Sequence, residues 1–331
     1  MDGWVAPAAS SAAGKLVVMT YNVLAQCYVK SSFFPYCKPA ALRWKNRSQK
    51  LAEVFQSLPV QPDVICLQEV DQYAEFWVGM MQKIGYSGLY KQKTAQKKDG
   101  VAVFWKHERF QLVQHQELEL DDPVSDESDC SEDLLARAKR GSVGLITHFK
   151  QVADDTGNQV PPLEFVLATT HLFWDPAQED VKLLQTRRVL RPLQEFSRSL
   201  NLPTIFAGDF NSLPNSKVYN FITKDHHFAS AYSQYTSLTE TGVATGEPKF
   251  TNVNGAIDPP HSSDGVSQVP QFVGTLDYLF YQPFSTSSMS IAALMEIMSF
   301  EDATKEISLP SSFSPSDHLP LITEFRIQRP H

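Results

Sequence analysis

The sequence contains no apolar run near the roughly 18 to 20 residues that a membrane-spanning helix needs. Its first fifteen residues lack the basic-then-apolar layout of a secretory signal. A soluble cytoplasmic protein without a membrane partner is the expectation. Cysteine is sparse: Cys27, Cys37, Cys66 and Cys130 are the four among 331 residues. No two of them stand at C-x-x-C spacing, which argues against a structural zinc site or a disulfide framework. Positive charge is short as well. With a formal net charge of -8, the chain lacks the basic surface that holds long nucleic acid by neutralising many phosphates. A strand end or a small anion stays open as a partner, because divalent cations invert the local charge of an acidic site. Internal repeats and a second domain boundary are missing too.

What is present is a large stock of apolar runs of strand length. They begin at residues 16 (LVVMTYNV), 63 (DVICLQEV), 100 (GVAVFWK), 142 (SVGLITHF), 164 (EFVLATTHL), 204 (TIFAGDFN), 275 (TLDYLFY) and 318 (HLPLITEFRI). Several are apolar at consecutive positions, the pattern of strands covered on both faces. Between them lie helical faces: Leu51, Val54, Phe55 and Leu58; Tyr73, Trp77, Met80 and Ile84; Val189, Leu193, Phe196 and Leu200. Strands interleaved with helices predict one α/β domain of two packed sheets with outer helices, over 16–328. Residues 1–15, rich in Ala and Ser, read as a disordered N-terminus. The acidic, Ser-rich segment 121–140 reads as a mobile insertion with a short helix, and 239–271, dense in Gly, Pro, Ser and Asn, reads as loop.

Polar residues interrupt or end nearly every apolar run: Asn22, Glu69, His171, Asp209, Asn211, Asp277, Asp317 and His318. Each alone has an ordinary explanation. Asn22 and Asp317 suit turns, Glu69 suits a helix start, His171 suits a satisfied core position, and Asp209 with Asn211 suits an Asx-turn. Together they are harder to dismiss, since a buried carboxylate must be neutralised, hydrogen-bonded or bound to a metal. Carboxylates, amides and imidazoles at strand ends are the inventory of a hard-cation site with its acid or base. Strand alternation would send Asp209 and Asn211 out of one sheet face, with Phe210 turned into packing.

The ordered motifs TYNVLAQ, DVICLQEVD, DGVAVFWK, THLFWDP, GDFNSLP, TLDYLFY and PSDHLPL resemble the endonuclease/exonuclease/phosphatase superfamily. Within it they resemble the branch of carbon catabolite repressor-type deadenylases, nocturnin and Angel, with plant homologues nearest. The resemblance spans about Leu16 to Ile327. It implies a DNase I-like four-layer α/β sandwich and a site at one end of two facing sheets. It implies Glu69 and Asn22, with Asp209, as ligands of one or two Mg²⁺ ions, for which Mn²⁺ substitutes. By the same resemblance Asp209 orients or deprotonates the attacking water and Asn211 binds the phosphate. His171 and His318 stabilise the phosphorane, Asp317 orients an imidazole and Asp277 completes the cluster.

The family likeness also implies an adenine held between Phe272 and Pro176. Arg47, Lys93, Lys97 and Lys98 are candidate phosphate contacts, although the run of lysines also suits a solvated turn. Phe173 stands where relatives carry a second histidine, and no leucine-rich repeat is present to dock a deadenylase complex. A monomer is expected. The leading function is a Mg²⁺-dependent 3′–5′ exoribonuclease that trims poly(A) RNA from its 3′ end and releases 5′-AMP. Rivals on the same site are a 2′-phosphatase of NADP(H), an adenine dinucleotide phosphate, and a 2′,3′-cyclic phosphatase. A non-catalytic RNA or adaptor module and an inositol-phosphate phosphatase are weaker alternatives.

Overall fold

Each of the eight long apolar runs becomes a strand in the computed structural model, which describes residues 4–5, 14–124, 127–152, 162–239, 245–258, 268–284 and 287–328. In chain order the strands are β1 Trp4–Val5, β2 Gly14–Asn22, β3 Val64–Val70, β4 Tyr86–Gln92, β5 Gly100–Lys106, β6 Phe110–Glu119, β7 Val143–Gln151 and β8 Glu164–His171. They continue as β9 Thr204–Asp209, β10 Ala229–Ser230, β11 Asn252–Asn254, β12 Phe272–Gly274, β13 Asp277–Gln282, β14 Ser288–Met295 and β15 Leu321–Gln328. One sheet has the order β1-β14-β15-β2-β3-β5-β4, the other β10-β13-β9-β8-β7-β6, and β11 pairs with β12 alone. The parallel pairs β2–β3 and β8–β9 make both large sheets mixed.

Consecutive apolar residues are explained by the period of two. In β2, Leu16 and Val18 face a core shared between the sheets with Val103, Leu145, Leu167, Ile205 and Phe325. Their neighbours Val17 and Met19 face an outer core with Leu51, Phe55, Trp77 and Met81 from the helices Trp44–Gln56 and Val78–Lys83 and the turn before the second. On the far side, Ile146, Val166 and Phe206 pack under Val189, Leu190 and Leu193 of the helix Glu179–Leu200. Three apolar layers between four structural layers give the expected α/β sandwich.

Two boundary expectations change. The regular chain starts earlier than Leu16, because β2 begins at Gly14, and Trp4–Val5 pair with Leu294–Met295 of β14; the rest of 1–13 lies outside the described residues. The described part of 121–140, read as a mobile insertion, is tied to the helix Glu179–Leu200. Arg188 clasps Glu127 through Nε and Nη2, both at 2.6 Å, and its Nη1 donates to the Leu120 carbonyl at 2.7 Å. Both side chains of the pair are buried. Arg137, on the helix Glu132–Arg137, adds a 2.6 Å contact to Asp180. Leaving Glu127 buried without its guanidinium should cost about 3–5 kcal/mol. Arg188→Ala is therefore expected to lower the urea midpoint and to open 121–140 to trypsin at Arg137, Lys139 and Arg140; an unchanged midpoint and digestion pattern would refute the clasp.

Candidate active site

The polar strand ends converge. In the second sheet His171, Asp209 and Asp277 lie in one row, His171 opposite Asp209 across β8–β9 and Asp209 opposite Asp277 across β9–β13. In the first sheet Asn22 closes β2, and Glu69 sits where the β3–β5 register shifts. Glu69 has φ +56°, so a local bulge in the left-handed region, and not regular alternation, aims its carboxylate. At this end the Asn22 amide links the two sheets. Asn22 Nδ2 donates to Asp209 Oδ2 at 2.9 Å and to Glu69 Oε1 at 3.2 Å. Gly208 permits the close pairing of β8 and β9 beside the site, since with φ +152° a Cβ there would stand 2.2 Å from the Thr170 carbonyl.

Asn211 reaches the site by a different route from the one expected. β9 ends at Asp209, Asn211 has φ +47°, and its N–H donates to Asp209 Oδ1 at 2.9 Å. The Asx-turn read from the sequence is therefore present. Asn211 Nδ2 donates to the Leu172 carbonyl at 3.0 Å, while Lys182 Nζ holds the Asn211 carbonyl at 2.6 Å. Asp317 and His318 precede β15, and His318 bridges to Asn252 of β11.

Two buried imidazoles point Nε2 at Asp209 Oδ2, His171 from 3.5 Å and His318 from 3.7 Å. Their charges differ. Burial, with Lys93 adding to it, holds His171 well below its ordinary value, so it is a neutral ring. Lys93 Nζ lies 3.3 Å from His171 Nδ1, and an ammonium can only donate, which puts the ring hydrogen on Nε2. Burial also disfavours a charge on His318, but the carboxylates of Asp277 and Asp209 outweigh it and raise His318 well above its ordinary value. Asp277 Oδ2 is 2.8 Å from His318 Nδ1 and accepts a 2.7 Å bond from Thr251. Asp209 is pushed up to about 7 by burial and then by Asp277. Burial raises Glu69 too, although Lys93 pulls it back.

The cluster fits a hard divalent cation. Asp209, Asp277 and His318 each offer a ligand atom within 4.8 Å of the others. Asp277 Oδ1 and Asp317 Oδ1 are buried without a hydrogen-bond partner among the described residues, a state that carboxylate oxygens avoid unless a cation or water meets them. Oxygen donors in the majority suit Mg²⁺ or Mn²⁺ better than a thiophilic metal.

The metal-free protein provides a prediction. A carboxyl whose folded value, about 7, exceeds its ordinary 3.8 opposes folding increasingly as pH rises between those values. Asp209→Asn is therefore expected to raise the Tm of chelator-treated protein at pH 8 by several degrees and to leave it nearly unchanged at pH 4. Equal shifts at both pH values would contradict the burial argument.

A cleft of about 470 Å³ is lined by Glu69, Lys93, Lys97, His171, Asp209, Asn211, Asp317 and His318, while Asn22 and Asp277 are buried behind it. Four expected substrate contacts are not in its lining. Arg47 is buried, with Nε on the Pro315 carbonyl, Nη1 on Gln26 and Nη2 on the carbonyls of Val23 and Leu24; its donors brace the loop after β2 and do not face a phosphate. Phe272 is half-buried on β12, its ring lying over Gly274, and Pro176 is exposed in the turn before Glu179. Lys98 is exposed and outside the lining. Conversely, Asn252 and Asn254 line the cleft from β11, inside the segment read as loop. Asp99 also went unread: it is buried, 2.7 Å from Lys93, and accepts a 2.6 Å bond from Tyr28. Its one signal was a carboxylate directly before the strand GVAVFWK.

Residues 19–318 match the profile of the endonuclease/exonuclease/phosphatase family. The chain is 35% identical over 352 residues to carbon catabolite repressor protein 4 homolog 4 of Arabidopsis thaliana, covering 94% of this chain and 78% of that one. It is 29% identical to the CCR4-Not complex 3′-5′-exoribonuclease subunit Ccr4 of Debaryomyces hansenii, covering 94% of this chain but 39% of the relative. Among solved structures it is similar to ANGEL2, a 2′,3′-cyclic phosphatase, bound to adenosine-2′,3′-vanadate, with TM-score 0.69, 25% identity, and 94% and 95% of the two chains covered. The human nocturnin catalytic domain with bound sulfate shares the fold at TM-score 0.66 and 24% identity, with 95% and 94% covered. Among the described residues no helix is long and apolar enough to cross a membrane. The chain belongs to the endonuclease/exonuclease/phosphatase family of metal-dependent phosphodiesterases and phosphatases, in the branch of the carbon catabolite repressor 4, nocturnin and Angel proteins.

Proposed function

We propose that the cleft hydrolyses the 3′-terminal phosphodiester of poly(A) RNA and releases 5′-AMP, with Mg²⁺ as the resident ion. The observation that supports this most is the meeting of Glu69, Asn22, Asp209 and His318 at one point, spanned by the Asn22 amide, in a chain related to an exoribonuclease subunit. Glu69 and Asp209 would hold the ion, joined by Asn22 Oδ1 once the amide turns from the Leu24 N–H and frees the two carboxylates; the ion would supply polarised phosphoryl oxygens and a water of lowered pKa.

The chain's own groups divide the remaining work. Asp209 Oδ2, flanked by both imidazoles, takes the proton of the attacking water. His171, neutral with hydrogen on Nε2, and His318, charged and steadied by Asp277, donate to the phosphoryl oxygens as negative charge builds on them. Asn211 Nδ2 is a further donor to the phosphate once it leaves the Leu172 carbonyl. Lys93 keeps His171 in the donating tautomer. The scissile bond is between phosphorus and the 3′ oxygen of the preceding nucleotide, so the phosphate departs on AMP.

A second reading, hydrolysis of 2′,3′-cyclic phosphate ends, is favoured by the likeness to ANGEL2 with its adenosine-2′,3′-vanadate. NADP(H) 2′-dephosphorylation uses the same groups on an adenine-bearing substrate. A substrate panel separates them: equal amounts of protein are given oligo(A), an RNA with a 2′,3′-cyclic end, and NADPH in Mg²⁺. AMP from oligo(A) as the fastest product supports the exoribonuclease. Phosphate from NADPH, or opening of the cyclic end, without AMP would replace it by the corresponding rival.

A further inference from the structure

The helix Glu179–Leu200 turns two polar side chains into the protein, Lys182 and Gln185, both buried. Three positions apart, they share one helix face. Each holds the backbone of a different loop. Lys182 Nζ donates to the Asn211 carbonyl at 2.6 Å, and Gln185 Oε1 accepts from the Phe173 N–H at 2.8 Å. The two loops meet in a third bond, because the peptide whose N–H Gln185 holds presents its carbonyl, that of Leu172, to Asn211 Nδ2 at 3.0 Å. Helix, Asn211 turn and 172–173 peptide thus close a ring of contacts around the Asn211 amide. Both helix residues are kept against a cost in stability. Burial disfavours the charge on Lys182 and lowers its pKa, although Glu179, Asp175 and Asp209 oppose that shift, and its bonding partner is a neutral carbonyl. Gln185 Nε2 is buried without a partner among the described residues. A buried ammonium and a half-satisfied amide weaken a core, so their presence points to the geometry that they fix.

We propose that Lys182 and Gln185 are positioning residues that set the Asn211 amide for the phosphate. The inference rests on the reading of Asn211 as a phosphate donor. Lys182 fixes the backbone from which the amide springs, and Gln185 fixes the carbonyl on which the amide rests before it turns to a phosphoryl oxygen. The clamp is needed because Asn211 stands at φ +47°, a left-handed turn that a residue other than glycine keeps only when its surroundings hold it. An amide fixed in this way needs little reorganisation when negative charge builds on the phosphate.

The test compares Lys182→Met and Gln185→Leu with the wild type in Mg²⁺, well below each Tm, on whichever substrate of the panel is turned over. Lys182→Met is expected to lower kcat about 10- to 100-fold, the scale of a small misplacement of a reacting group, with KM changed less than about twofold. Gln185→Leu should act in the same direction, and it reads the clamp if Lys182→Met does not fold. Asn211→Gly keeps the left-handed turn without strain and removes the amide; in that background Lys182→Met should cost nothing further. Calorimetry gives a readout without turnover, with orthovanadate as the five-coordinate mimic and inorganic phosphate as the comparison. Lys182→Met should weaken vanadate by the factor seen in kcat and leave phosphate nearly unchanged. An unchanged kcat beside a lowered Tm, a loss carried by KM, a further loss in the Asn211→Gly background, or a wild type that prefers vanadate to phosphate no more than Lys182→Met does, would overturn the proposal. Absence of AMP from oligo(A) would sink the exoribonuclease reading alone, since the vanadate comparison needs no turnover.

Discussion

Asp209→Asn is expected to lower kcat on oligo(A) by about 10²- to 10⁴-fold, the range a positioned general base contributes. The substitution keeps the side-chain volume and the Asn211 N–H bond to the remaining oxygen, so the turn after β9 should survive. What disappears is the carboxylate oxygen that both imidazoles and Asn22 face together. The same change stabilises the metal-free protein above neutral pH, as argued from its raised pKa. A variant that is better folded and nearly inactive is the signature of a charge kept for chemistry against its cost in stability. A fall of less than threefold in kcat would remove Asp209 from the role of base.

His318→Ala is expected to cost about 10²- to 10³-fold, the scale of one donor to a developing oxyanion. Asp277→Asn should cost a similar factor without touching the substrate, because the imidazolium depends on the Asp277 carboxylate 2.8 Å from Nδ1. Thr251 is already spent on that carboxylate and cannot replace it. If the two act as a unit, Asp277→Asn combined with His318→Ala should be no slower than His318→Ala alone. Multiplying losses in the double variant would mean that Asp277 works independently, and its unpartnered Oδ1 would then be better read as a direct cation ligand. The pH profile adds a second check, since without the Asp277 carboxylate the upper limb of activity should move to lower pH.

Much of this was legible because strand ends in ordinary domains are not acidic. His171 and Asp209 end apolar runs, Asp277 interrupts one and His318 opens one, and runs buried on both faces are conspicuous, so the central strands and the main cluster emerge from pattern alone. The edges did not. β4 and β6, at the open margins of the two sheets, carry sequences such as YSGLYKQ and FQLVQHQELE that turn polar side chains to water. Glu69 was recognisable as a residue but not as a bulge, because its left-handed φ is imposed by the packing of β3 against β5. Arg47 was misplaced since a helical arginine looks solvent-facing until tertiary structure surrounds it with carbonyls. Phe33 shows the opposite case: within SSFFPYC it resembles core, yet tertiary structure leaves it exposed.

The convergence of both sheets on one cation-dependent centre is tested most directly by product release. Chelator-treated wild-type protein and Glu69→Gln are each given 5′-labelled oligo(A), with and without Mg²⁺, and 5′-AMP is followed over time. The expected result is a single-nucleotide ladder with stoichiometric 5′-AMP for the wild type in Mg²⁺ and a near-complete loss in the other three arms. Cleavage that persists in chelator, or in Glu69→Gln at the wild-type rate, would contradict it.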